Sequence, residues 1–124
     1  MFDHVQIKVS DYKKSRPFYE AVLGALGYNV VIEFNGVVGI GTNPHDMLEI
    51  RQADEEALLS ASCHVALRAK SENDVRKFHE TALALGATDN GAPGLRTDVE
   101  PGYFAAFVTD PNGHNLEAVF QKES

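Results

Sequence analysis

Cysteine occurs once in this sequence, at Cys63. A single thiol cannot close an internal disulfide, and such sparing use of cysteine fits a reducing, cytoplasmic setting. Positive charge is also in short supply, with 11 Lys plus Arg against 18 Asp plus Glu and a formal net charge of −7. A phosphate backbone is repelled by that balance and no basic run offsets it, so nucleic acid is not an expected partner. No apolar stretch approaches the length of a membrane span, and Met1-Phe2-Asp3 does not open like a secretory signal, so no membrane partner is expected either. Phosphate loops and nucleophile elbows are missing, because the glycines are scattered through turns. What is present is a chain of 124 residues, 44% apolar and 23% charged. That suits one domain, or two half-size modules that complete each other's core.

The second alternative is favoured by an internal repeat. With residues 3–30 written above residues 63–90, His4-Val5 falls on His64-Val65, Ile7 on Leu67 and Lys8 on Arg68. Arg16, Phe18, Glu20 and Leu23 then fall on Arg76, Phe78, Glu80 and Leu83, and one deletion brings Leu26-Gly27 onto Leu85-Gly86. Repeats of about 1–60 and 61–124 therefore make up a single domain.

Each repeat reads as β-α-β-β-β. In the first, Val5, Ile7 and Val9 alternate with polar residues as a half-buried strand does. Ser10-Asp11 offers a helix cap, Pro17 lies near enough to the start to be tolerated, and Phe18, Val22 and Leu26 share one helical face. Gly24 and Gly27 mark the helix end. Strands are expected at Tyr28–Phe34, Val37–Thr42 and Met47–Gln52, with Asn35-Gly36 as a tight hairpin turn. A linker over residues 53–61 is expected to hold a short helical turn. In the second repeat the strand is Cys63–Ala69, the helix Glu72–Leu85, and a hairpin joins Tyr103–Thr109 to Asn115–Phe120 through Asp110-Pro111-Asn112-Gly113. The stretch Thr88–Gly102, rich in Gly and Pro, is expected to hold at most one short strand and to act as a lid or binding loop, with Arg96 and Tyr103 as its exposed side chains. The fold class is α+β, two βαβββ modules forming a cup-shaped mixed sheet with helices on the outer face.

Alternation also sorts the polar side chains. Val5, Ile7 and Val9 should face the helix, as should Val65, Leu67 and Ala69, which sends His4, Gln6, Lys8, His64 and Arg68 to the other face. On the last strands Leu48 and Ile50 bury and leave Glu49 on that open face, while Leu116, Ala118 and Phe120 bury and leave Glu117 there. Each module so presents one His and one Glu, and the two modules together could bring His4, Glu49, His64 and Glu117 around a divalent ion. Imidazole and carboxylate suit Zn²⁺, Ni²⁺, Co²⁺, Mn²⁺ or Fe²⁺, and the lack of a thiolate argues against structural zinc or copper(I). Taken singly, a His or a Glu on a strand is an ordinary surface residue; the recurrence of both types at equivalent places is what points to a metal. Lys8 and Arg68 are related in the same way and could hold a carboxylate or phosphate of a substrate. Cys63 should point inward as a core thiol, His45 and His114 fall in turns where solvent is expected, and His79 belongs on a helix surface.

The segments "DHVQIKV", "CHVALRA", "FYEAVLGALGY" and "FVTDPNGHNLEAVF" resemble the vicinal-oxygen-chelate superfamily, which includes glyoxalase I, extradiol dioxygenases, fosfomycin-resistance transferases and bleomycin-binding proteins. The resemblance runs over nearly the whole chain, and its most specific part is DPNG-x-x-L-E at 110–117. It implies paired modules around a divalent metal, with His4, Glu49, His64 and Glu117 on the metal positions of glyoxalase I. It also implies a lyase or isomerase acting on a small substrate with vicinal oxygens through an enediolate, with Glu117 or Glu49 as the base. Lys8, Arg68, Tyr103 and Arg96 would be the substrate-binding side chains. Ala53 stands where glyoxalase I carries an Asn for glutathione, and Asp54-Glu55-Glu56 would repel a peptide substrate's carboxylates, so the implied substrate is something other than a glutathione adduct. A metal-free small-molecule binder, a dioxygenase and a fosfomycin-type transferase are the alternatives on the same fold. A homodimer is expected, with each site built from His4 and Glu49 of one chain and His64 and Glu117 of the other.

Overall fold

The alternating segment at the start of the chain is a strand, β1 (His4–Val9), and a helix follows it, α1 (Tyr12–Gly24). Strands β2 (Asn29–Phe34), β3 (Val37–Asn43) and β4 (Asp46–Gln52) complete the first unit. The second unit runs in the same order as β5 (His64–Arg68), α2 (Glu72–Ala84), β6 (Thr88–Leu95), β7 (Tyr103–Thr109) and β8 (Asn115–Gln121). This computed structural model describes residues 1–122; residues 123 and 124, the end of the second repeat, lie outside the described residues. The chain divides into compact units after Ala61. Each holds a four-stranded mixed sheet, ordered β1-β4-β3-β2 in one and β5-β8-β7-β6 in the other. The first and last strands of each unit pair in parallel and the remaining pairs are antiparallel. The class is α+β, two βαβββ units. Among the described residues no helix is long and apolar enough to cross a membrane.

Local chemistry explains the element ends. Asp11 and Ser71 occupy the N-caps of α1 and α2 with extended backbones, and their side chains accept from the N–H of Lys14 and Asp74. Both helices close with the same glycine device. Gly27 and Gly86 take φ of +91° and +100°, which lets the Tyr28 and Ala87 N–H groups reach back to the carbonyls of Leu23 and Ala82. The Asn35-Gly36 turn has positive φ at both residues, the backbone a two-residue hairpin requires. Pro17 lies inside α1 and the helix runs through it.

These glycines give a prediction with opposite signs. Nothing lies within 4 Å of a Cβ built on Gly86 or Gly24, so only the backbone decides. Gly86→Ala is expected to cost about 1–2 kcal/mol because of its positive φ. Gly24→Ala, at a helical φ, is expected to gain about 0.5–1 kcal/mol. Urea denaturation of the two variants checks both.

One face of each sheet packs against its helix. Ile7, Val9, Phe18, Tyr19, Val22, Leu23, Leu26, Val38, Ile40 and Ile50 are buried in the first unit, and Val75, Phe78, Ala82, Val108, Leu116 and Ala118 in the second. The guanidinium of Arg16 binds both oxygens of Glu33 at 2.6 and 2.9 Å, tying α1 to β2. Equivalent positions are not always used alike: Leu23 is buried in α1, whereas Leu83 is exposed on α2. Val5 is exposed at the end of β1, and Val65 and Leu67 are only half-buried, so the inward row is shorter than alternation implied.

Three expectations for loops are corrected. The 88–102 stretch does hold one strand, Thr88–Leu95, but at eight residues it is longer than the short strand expected; its Pro and Gly residues are accommodated by two register shifts against β7. The linker forms no helical turn. Instead the Asp54 carboxylate accepts from the N–H groups of Glu56 and Ala57, an Asx-type turn. His114, placed in solvent by its turn sequence, is completely buried. Cys63 is half-buried.

Candidate metal centre

In the first unit, β1 carries His4, Gln6 and Lys8 on the sheet face opposite buried Ile7 and Val9. The parallel ladder sets Gln6 directly across from Glu49 on β4. The Gln6 amide donates to Glu49 Oε1 at 3.0 Å, and His4 Nε2 lies 3.9 Å from the same oxygen. Glu49 is therefore not open to solvent, as alternation alone suggested, but buried. Its strand partner on the other side is Gly39, where a Cβ would meet Met47 Sδ at 2.5 Å and Ile32 Cγ1 at 2.6 Å. These two side chains lie over the glycine. His4 turns its Nδ1 to Asp3 Oδ1 at 2.8 Å, and Asp3 Oδ2 meets His45 Nδ1 at 2.7 Å. The Asp3 hydrogen bond, with the charge of Glu49 adding to it, raises the His4 pKa above the ordinary imidazole value. The hydrogen bonds from His4 and His45 lower that of Asp3.

The second unit repeats the pair with different support. Ala66 stands across from Glu117, so the position held by Gln6 in the first unit carries no donor here. The donor comes from the other neighbouring strand. Tyr103, at the start of β7, donates its hydroxyl to Glu117 Oε2. His64 Nε2 lies 2.9 Å from Glu117 Oε1. Burial, and then the hydrogen bond to Glu117, push the Tyr103 pKa up to about 12, so the phenol remains a neutral donor at physiological pH. Glu117 is buried, like Glu49.

The remaining predicted residues take defined places. Arg96 is half-buried, with Nη2 donating to the Ala92 carbonyl at 2.5 Å and Cζ 5.5 Å from the centre of the Phe107 ring. It lies across Gly91 and Gly94, where any Cβ would come within 3.3 and 3.1 Å of the guanidinium. Arg96 is thus laid onto a sheet strand, not carried on a lid. Phe107 is the β7 partner of Glu117, and its ring centre is 6.4 Å from that of His64. Arg68 and Tyr103 line a cleft of about 360 Å³ together with Val119 and Gln121. Lys8 is half-buried and stands across from Arg51. Gln6, Phe107 and Asp3 were not singled out by the sequence; for Gln6 the signal was available, since it shares the alternating face with His4.

The donor chemistry suits a divalent ion in pairs. Two ligands at about 2.0–2.2 Å from one ion, at tetrahedral or octahedral angles, stand roughly 3.0–3.4 Å apart. The His64–Glu117 contact of 2.9 Å is close to that edge, and the His4–Glu49 separation of 3.9 Å is somewhat longer. Among the described residues no three His, Cys, Asp or Glu side chains gather closely enough to hold an ion. What each unit brings together is one His and one Glu.

Residues 1–118 match the Glyoxalase/Bleomycin resistance protein/Dioxygenase superfamily. The chain belongs to this superfamily. Solved structures agree. A glyoxalase/bleomycin resistance protein from Albidiferax ferrireducens is similar at 25% identity and a TM-score of 0.84, over 97% of this chain and 98% of that one. A family enzyme from Burkholderia phytofirmans gives 18% identity and a TM-score of 0.73, over 97% and 98%. A lactoylglutathione lyase from Agrobacterium tumefaciens gives 17% and 0.68, over 97% and 92%. No curated protein matches the chain. The glyoxalase superfamily includes lyases, dioxygenases and binding proteins, and divalent metals are common among its members, so the His–Glu pairs are the feature that bears on function.

Proposed function

We propose that this protein is a metal-dependent lyase or isomerase of the glyoxalase type, acting on a small substrate with vicinal oxygens. The observation that carries the proposal is the recurrence of a buried Glu beside a His in both units, at 3.9 Å for His4 and Glu49 and 2.9 Å for His64 and Glu117. One pair cannot make a catalytic site, which takes three or more protein ligands with a position left for substrate. Two pairs can. His4, Glu49, His64 and Glu117 would hold a divalent ion such as Zn²⁺, Ni²⁺, Co²⁺, Mn²⁺ or Fe²⁺, and that ion would supply Lewis acidity toward the substrate oxygens.

The chain's own groups do the rest. Glu117 or Glu49 takes the proton from the carbon next to the carbonyl and returns it to the neighbouring carbon, so that the product is an isomer of the substrate. The neutral Tyr103 hydroxyl holds Glu117 in place on one oxygen, and Gln6 does the same for Glu49. Arg68 and Lys8 offer positive charge for a carboxylate or phosphate of the substrate, with Tyr103 beside Arg68 in the cleft and Arg96 laid beside Phe107. Ala53 and the acidic run Asp54-Glu55-Glu56 favour a substrate other than a glutathione adduct. The protein works in the cytoplasm as a homodimer in which His4 and Glu49 of one chain meet His64 and Glu117 of the other.

Mixing chains tests the metal and the assembly together. His4→Ala and His64→Ala homodimers are each expected to lose bound metal, measured by elemental analysis. In verified mixed dimers carrying His4→Ala on one chain and His64→Ala on the other, shared sites concentrate both defects in one site and leave the second intact. About one ion per dimer should then return. No return would place each site within a chain. Full metal content in both single variants would overturn the assignment of His4 and His64 as ligands, and an unsubstituted protein that binds no metal would leave a metal-free binding protein.

A further inference from the structure

The two histidines are not supported alike, and the difference lies in the residue before each. Asp3 precedes His4, and its carboxylate meets His4 Nδ1 at 2.8 Å. At the equivalent place before His64 stands Cys63, which offers no carboxylate. Asp3 is itself fixed from two sides. Its backbone carbonyl accepts from the Met47 N–H at 3.3 Å at the head of β4, and its second carboxylate oxygen meets His45 Nδ1, from the β3–β4 turn, at 2.7 Å.

Resting on the metal reading above, we propose that Asp3 is the positioning residue of His4. It fixes the imidazole as the tautomer that carries its proton on Nδ1 and turns Nε2 toward Glu49 as the ligand atom, and His45 braces Asp3 from the far side. The geometry has the form of a carboxylate–histidine–metal relay. In such a relay the outer carboxylate selects the tautomer, sets the ring plane and raises the donor strength of the ligating nitrogen. His4 needs this more than a buried ligand would, because its side chain is 49% exposed. In the second unit the His64 ring has Phe107 beside it, with ring centres 6.4 Å apart.

Titration of the metal-free protein with Zn²⁺ against a competing chromophoric chelator tests the assignment, using Asp3→Ala, Asp3→Asn, His45→Ala and the ligand control His4→Ala. Asp3→Ala should weaken Zn²⁺ binding by about 10–100-fold. Asp3→Asn should recover part of that loss, because the amide oxygen can still accept from Nδ1–H. His45→Ala should cost only a few-fold. A structural role alone would not touch the ring nitrogens, so long-range ¹H–¹⁵N spectra of the zinc-loaded protein supply the second readout. The parent should show His4 coordinated through Nε2 with a protonated Nδ1, and Asp3→Ala should lose that pattern. If Asp3→Ala binds Zn²⁺ within about twofold of the parent with unchanged ring shifts, while His4→Ala is disabled, this proposal alone is overturned. If His4→Ala also binds normally, the metal reading falls with it.

Discussion

Replacing Glu117 with glutamine is expected to lower proton exchange on an α-hydroxycarbonyl substrate by about 10²–10⁴-fold, the range in which a positioned general base contributes. The amide is nearly the same size as the carboxylate and can still ligate weakly through its oxygen, so part of the bound metal should remain. What it cannot do is accept the proton from carbon. The surroundings make this substitution informative. Glu117 receives His64 on one oxygen and the Tyr103 hydroxyl on the other, whereas an amide offers one acceptor and one donor. One of the two contacts must therefore turn round, and a modest loss of stability of about 1 kcal/mol is expected beside the catalytic loss. Deuterium incorporation from D₂O, read by NMR at equal metal loading, separates the two effects. Exchange at the parent rate in Glu117→Gln would take the role of base away from Glu117 and leave Glu49 to be tested in the same way.

The contrast between these two carboxylates shows what the sequence could and could not reveal. Strand alternation was enough to put His4, Gln6 and Lys8 on one face and to pick Glu49 and Glu117 from their buried neighbours. The period is a property of the backbone and leaves little choice once Ile7 and Val9 must go inward. The cap at Asp11, the turn at Asn35-Gly36 and the glycines at the end of the first helix were legible for the same reason, since each is a local rule. Burial was not. That Glu49 and Glu117 would be covered depends on Gln6 reaching across a parallel ladder and on Tyr103 reaching in from β7, and neither pairing is written in any short window. In the 88–102 stretch, composition hid the length of the one strand it holds. Pro93 and three of the chain's glycines, Gly91, Gly94 and Gly102, argue for a loop, yet β6 forms with its register shifted at Gly91 and Gly94.

His114 is where local and tertiary rules conflict most, and its truncation is expected to be strongly destabilising. The turn sequence before it is a strong one. Asp110 accepts from the N–H groups of Asn112 and His114 at 2.9 and 2.8 Å, which predicts a polar surface corner. The His114 side chain nevertheless goes inside, with 0% exposure. Its Nδ1 accepts from the Cys63 N–H at 3.0 Å, and the Asn115 N–H donates to the Cys63 carbonyl at 2.8 Å, so both backbone groups of Cys63 are held at the point where β5 begins beside β8. An imidazole accepting at Nδ1 carries its proton on Nε2, and that Nε2 is buried without a hydrogen-bond partner among the described residues. Stability is thus already given up at Nε2 to obtain the clamp at Nδ1. His114→Ala leaves the Cys63 N–H without its acceptor and opens a cavity, for an expected loss of about 2–4 kcal/mol. For a chain of this size that is on the order of 10 °C in Tm. His114→Phe fills the space and removes the unpaired Nε2–H while still losing the acceptor. It should cost about 1 kcal/mol or less, because the two polar effects oppose each other. Urea denaturation of the metal-free variants measures both losses directly. An alanine variant within about 1 kcal/mol of the parent would mean that His114 does not hold the two strands together.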